Sequence, residues 1–151
     1  MGLDTVDRAW SFTRGLTLDF VRELDEAALD FSPGSALGPF WKQFRHVGRV
    51  QENYVDALVA RRIRFDVTNT YRGGPSADGL ADYLRGVDER MHRLLGSMSG
   101  DTEIDWNGDP IPLALHLERL LAHETLHHGQ WIVYLRLMGG SFPTSWAAWG
   151  L

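Results

Sequence analysis

The sequence predicts an all-α fold, a four-helix bundle. Two observations carry this. Four segments place apolar residues at spacings of three, four or seven, the period of a helix with one buried face. No stretch shows sustained alternation of apolar and polar residues bounded by turn formers, so strand signals are weak.

The first helix has Leu3, Val6, Trp10, Thr17, Phe20 and Leu24 as its stripe. The stretch "FSPGSALGP" then breaks the chain with two prolines and several small turn formers. A second helix is predicted from Pro39, in its first turn, to Arg62, with Val47, Val50, Tyr54, Ala57 and Leu58 on the inner face. "VTNTYRGGPSADG" reads as the longest loop, with Ser76 or Asp78 capping the helix that follows. That third helix buries Leu80, Leu84, Val87, Met91, Leu94 and Met98, while the charges of "RGVDERMHRLL" form a solvated face. A polar joint, "SGDTEIDWNGDP", leads to a fourth helix from Pro112 to Met138, stopped by Gly139-Gly140. The tail "SFPTSWAAWGL" is too aromatic for free coil, and Trp146 and Trp149 are expected to fold back onto the helices.

Composition narrows the function. The 151 residues suit one domain, 1–151, with a real core. Hydrophobic residues make up 44% and charged residues 23%, as in ordinary globular proteins. A net charge of -5 without a Lys/Arg stripe argues against nucleic acid as a partner. The chain has no cysteine, which excludes disulfides, thiolate metal sites and a cysteine nucleophile. It shows neither a secretory signal nor an apolar run of membrane-spanning length, so the expected location is cytoplasmic, without membrane partners.

The chemistry concentrates in the fourth helix. "LAHETLHHGQW" contains His123-Glu124-Thr125-Leu126-His127, a literal H-E-x-x-H string. His123 and His127 are one turn apart on one face, so their imidazoles can converge on an ion. On a helical wheel Leu113, Leu120, Trp131 and Met138 define the inner line. His116, His123, His127 and Tyr134 lie within roughly 60° of it. Glu124 is near the line and His128 is on the flank. Imidazoles gathered in an apolar interior need a partner, and a metal supplies one.

A zinc peptidase takes its third ligand from downstream of this string. After His128 the chain has no Asp, Glu, His or Cys, so the third ligand must lie upstream. His46, in the second helix, is the best candidate; Gln43, Val50 and Asn53 lie on nearby faces. His92 turns away from its stripe towards solvent. His116, two turns before His123, is a pocket-lining or structural residue rather than a ligand.

One His within "FRHVGRVQENY", then "HETLHHGQWIVYLRLMGG" far downstream, resembles the DinB/YfiT-like superfamily over nearly the whole chain. The resemblance implies a four-helix bundle of up-down-down-up connectivity. It implies a divalent metal held by His46, His123 and His127, and a homodimer. Many members carry Arg where His128 stands, and an acidic residue where this chain has Gln51. Related proteins include metal-dependent transferases that add low-molecular-weight thiols to electrophiles, a thiol-dependent isomerase and suspected hydrolases.

The expected function is therefore a metal-dependent enzyme acting on a small molecule, foremost a low-molecular-weight thiol S-transferase of the detoxification type. A metal-dependent hydrolase is the second reading, and a non-catalytic metal-binding stress-response module the third. Zinc or nickel is the expected ion, ahead of iron or manganese. Glu124 and His128 are the candidate catalytic residues, with a salt bridge or a contact supporting the ligands an equal reading of Glu124. Asn53, His116, Trp131 and Tyr134 are candidates for lining the cavity, although ordinary core packing is the better account of the last two.

Overall fold

The computed structural model describes residues 2–66 and 68–151; Val67, the first residue of the predicted long loop, lies outside them, as does Met1. The chain is mostly helical. Four long helices are α1 (Leu3–Arg22), α3 (Trp41–Ala60), α4 (Ala77–Leu95) and α5 (Leu113–Met138). Helix α1 packs on α4 and α5, and α3 packs on the same two, which closes a ring of four helices. The helix limits fall within a few residues of those read from the periodicity.

The local chemistry explains the limits. Ser76, rather than Asp78, caps α4 by accepting from the Gly79 N–H at 3.1 Å. Helix α5 ends where Gly139 takes φ 68° and its N–H bonds back to the Leu135 and Arg136 carbonyls. Between α1 and α3 runs a short helix, α2 (Glu26–Asp30), which the periodicity does not reveal because five residues are too few to show a stripe. Its one sequence signal is Asp25, whose side chain accepts from the Ala28 N–H at 2.8 Å.

The joint before α5 is not a plain polar loop. It is an antiparallel hairpin, β1 (Glu103–Trp106) and β2 (Asp109–Pro112), with Ile104 opposite Ile111 and both buried. Asn107 and Gly108 turn it with φ 57° and 94°. Asn-Gly favours such a turn because both central residues need positive φ. Two four-residue strands with one inward position each are too short to register as alternation. The hairpin is tied to the end of α3: Asp105 N–H bonds to the Arg61 carbonyl at 2.9 Å, and Ile63 N–H to the Asp105 carbonyl at 3.0 Å.

The core has two connected parts. Val6, Trp10, Val55, Leu58, Ile104 and Leu120 pack at the hairpin end. Phe20, Phe40, Phe44, Trp131 and Trp146 pack at the other. Trp146 belongs to a closing 3-10 helix, Thr144–Trp149. Its ring is fully buried 4.5 Å from that of Phe20, and its indole N–H donates to the Leu16 carbonyl at 2.9 Å. Trp149 also folds back, with its ring edge against Phe12 at 6.3 Å, yet stays 40% exposed. Among the described residues no helix is long and apolar enough to cross a membrane.

Trp146 thus fastens the tail to α1 by both packing and a hydrogen bond. Trp146→Ala is expected to cost about 3–5 kcal/mol, the range for deleting a buried aromatic. Urea unfolding followed by far-UV circular dichroism measures it.

Candidate metal centre

His46 comes from α3; His123 and His127 come from adjacent turns of α5, packed against it. Their Nε2 atoms converge. His123 Nε2 lies 3.3 Å from that of His46 and 3.2 Å from that of His127. Tetrahedral geometry with metal–nitrogen bonds near 2.05 Å puts neighbouring ligand nitrogens about 3.3 Å apart. The spacing therefore fits a common ion, and one ligand atom from each residue lies within 4.8 Å of the others. His127 is buried; His46 and His123 are half-buried.

The protonation states fit as well. Burial, then the neighbouring imidazoles, pushes His127 down to about 4; burial and then His46 do the same to His123. His46 is lowered by burial and by the charges of Arg49 and Arg45. Neutral imidazoles are the ligand form. His127 Nδ1 lies 3.1 Å from Gln43 Oε1, an acceptor, which places the ring proton there and leaves Nε2 its lone pair. His123 Nδ1 is buried and has no protein partner. The donor set is three neutral nitrogens, and such a cluster can hold a metal ion with a coordination position to spare.

Glu124 and His128 sit elsewhere. Glu124 is fully buried and meets Arg14 of α1 in a two-pronged ion pair, Nε to Oε1 at 2.9 Å and Nη2 to Oε2 at 2.6 Å. Thr17 donates to Oε1 at 2.5 Å. Burial works to raise the Glu124 carboxyl, but the charge and hydrogen bonds of Arg14 and the Thr17 bond outweigh it and hold the group below its ordinary value.

The sequence places His128 on the flank of the helix, but it is buried, because α1 and the tail cover that side of α5. Its tautomer follows from its neighbours. The Trp149 indole can only donate, so His128 Nδ1, at 3.3 Å, accepts. The proton then sits on Nε2 and is donated to Thr17 Oγ1 at 2.8 Å. Burial pushes this imidazole down to about 4, consistent with a neutral ring.

Arg14 is the residue sequence reasoning misses. It lies in the gap of the α1 stripe between Trp10 and Thr17, four residues after Trp10, and an arginine at an inward position was the available signal. It also reaches Asp88 at 3.3 Å and Gln51 at 3.0 Å, while Gln51 donates to Asp88 at 2.7 Å. Asp88 is therefore not part of a simply solvated face: its side chain is 13% exposed and also accepts from the Trp10 indole. Gln51 serves this cluster as a neutral bridge, where a carboxylate would be a third acid around one guanidinium.

The other named residues serve local packing. His116 Nδ1 accepts from the Trp106 indole at 3.1 Å, so its Nε2–H donates to the Tyr54 carbonyl at 3.0 Å. Tyr134 donates to the Leu37 and Gly38 carbonyls, pinning the loop before α3. Trp131 is fully buried against Phe44, with ring centroids 4.4 Å apart. Asn53 is buried one turn from Arg49, to whose carbonyl it donates at 2.8 Å. His92 is exposed and pairs with Asp7 at 3.0 Å.

Residues 9–131 match the sequence profile of the DinB superfamily. The chain belongs to the DinB superfamily. Solved DinB-like proteins share its fold. One from Bacillus cereus ATCC 10987 superposes with a TM-score of 0.77 at 20% identity, over 93% of this chain and 95% of that one. Another, from Bacillus subtilis, gives 0.71 at 15% identity, over 91% and 94%. No curated protein matches this DinB chain in sequence.

Two outcomes follow. Arg14→Met leaves Glu124 buried without its cation and is expected to cost about 3–5 kcal/mol; Arg14→Met with Glu124→Leu costs less than the two single changes summed, measured as a double-mutant cycle in urea. Burial and neighbouring imidazoles hold His123 and His127 down to about 4, so both are neutral at pH 7, and an ion taken up there, tested with zinc, is expected to release close to no protons from them. As pH falls towards 4 they become protonated and uptake displaces protons. Calorimetry in buffers of different ionisation enthalpy reads that number.

Proposed function

We propose that this DinB-superfamily protein is a metal-dependent enzyme acting on small molecules, specifically a low-molecular-weight thiol S-transferase. The observation that carries the reading is the convergence of three neutral Nε2 atoms, from His46, His123 and His127, with no fourth protein ligand among the described residues. His46 brings α3 to the ion, the α5 pair completes the set, and Gln43 fixes the His127 ring. A divalent ion held there, zinc or nickel first, supplies Lewis acidity that favours thiolate over thiol at neutral pH.

The surroundings favour a thiol over water as the nucleophile. Activation of water by a general base is disfavoured, because the two candidates are engaged. Both oxygens of Glu124 are held by Arg14 and Thr17, and both nitrogens of His128 by Thr17 and Trp149. A thiol is far more acidic than water to begin with, so a modest lowering of its pKa is enough to give thiolate at neutral pH. Glu124 and His128 are then positioning residues that fix the face of α5, not proton carriers.

The ring of helices is read as one four-helix bundle of up-down-down-up connectivity. The long segment between α3 and α4 gives room for a crossover between parallel neighbours. A homodimer is supported by the outer face of α5, where Leu115, Leu126, Val133 and Leu137 are exposed along one line.

The test is metal content and turnover together. The purified protein is expected to bind about one zinc or nickel ion per chain, and His46→Ala to lose it by at least about tenfold in affinity. The loaded protein is then assayed for loss of free thiol with a chlorinated or epoxide electrophile. Unchanged metal content in His46→Ala removes the triad. Ester hydrolysis without thiol consumption replaces the transferase reading with the hydrolase.

A further inference from the structure

The chain is acidic overall, with a net charge of -5, yet the first half of α3 carries Lys42, Arg45 and Arg49 and meets no acid until Glu52. Arg45 and Arg49 flank His46 at one residue before and three after. The Arg49 guanidinium reaches His46 Nδ1 at 3.5 Å, and Arg45 lies over the Trp41 ring at 4.9 Å. Arg14, Arg85 and Arg90 each pair with a carboxylate; among the described residues Arg45 and Arg49 do not. Glu52 is occupied by Thr70 and Tyr83, at 2.7 and 2.9 Å.

The charge around the triad is therefore uncompensated. Three neutral imidazoles bring no negative charge to an ion, and the carboxylate nearest in sequence, Glu124, is neutralised by Arg14. Two guanidiniums without a carboxylate partner beside such a site make a local positive field on an acidic protein, which concentrates small anions. The Arg49 contact also changes when the site is used. A histidine whose Nε2 faces an ion carries its proton on Nδ1, where it no longer accepts from Arg49. The guanidinium is then free for another acceptor, and its planar fork matches the two oxygens of a carboxylate.

We propose that Arg45 and Arg49 form a carboxylate-binding subsite beside the histidine triad, so that the small molecule used there carries a carboxylate. The subsite rests on the small-molecule reading above and names its substrate class.

The probes are 3-mercaptopropionate and 3-mercaptopropionamide, which share a thiol and differ in charge. Zinc stoichiometry is measured first, and a wild-type protein that takes up no zinc overturns the metal reading by itself. On the zinc-loaded protein, calorimetry is expected to show the acid binding about tenfold or more tightly than the amide. Added potassium chloride lowers that ratio. The R45M/R49M double variant, with unchanged zinc content, brings the ratio close to one, and Arg49→Lys leaves it in between. Equal affinity for the two probes in the wild type, or an undiminished ratio in the double variant, overturns the proposal. If no zinc binds, the same pair is compared on the metal-free protein, where a carboxylate competes with His46 Nδ1 for Arg49, and a ratio that falls to one in R45M/R49M supports the subsite while an unchanged ratio overturns it.

Discussion

One guanidinium holds the four long helices in register. Arg14 projects from α1 and meets Glu124 on α5, Gln51 on α3, and both Asp88 and the Leu84 carbonyl on α4. Its side chain is 4% exposed, so each of these bonds is made away from water, where an unmet partner is costly. Burial alone would lower the Arg14 pKa; Glu124 and Asp88 more than offset it and leave the cation firmly charged. Asp88 is raised, because its burial outweighs the help it receives from Arg14 and Gln51. The strong partner is therefore Glu124, and the α1–α5 contact is the fixed point of the arrangement.

That fixed point sets the triad. Glu124 directly follows His123, so locking its carboxylate onto Arg14 fixes how α5 is rotated about its axis. With that face turned to α1, His123 and His127 are delivered to α3 and His46. The chain Trp149–His128–Thr17–Glu124 reinforces the same rotation from the tail. Histidines of two kinds thus share one helix. Those with open Nε2 atoms face α3, and those whose two nitrogens are both bonded, His116 and His128, hold the helix in place.

The helices and the three converging histidines were legible in the sequence because both depend on periodicity. Stripes such as Leu80, Leu84, Val87 and Met91 set the buried faces, and a spacing of four put His123 beside His127. The need for a third ligand, with no suitable residue after His128, pointed upstream to His46. What stayed hidden depends on pairings between distant positions. Arg14 and Glu124 are 110 residues apart, and neither position shows locally that it will be neutralised. The hairpin was hidden for another reason: only Asn107-Gly108 announces it, and its strands are four residues long.

The triad's two sources also set when it can exist during folding. His123 and His127 come together as soon as α5 forms, an event local to a few residues and fast. His46 lies 77 residues from His123, so it joins only when α3 docks against α5 across a large loop. The pair is thus a product of secondary structure and the trio a product of tertiary assembly. A newly made chain presents the pair early and the trio last, so an ion that needs all three imidazoles would be held only by chains that have finished folding.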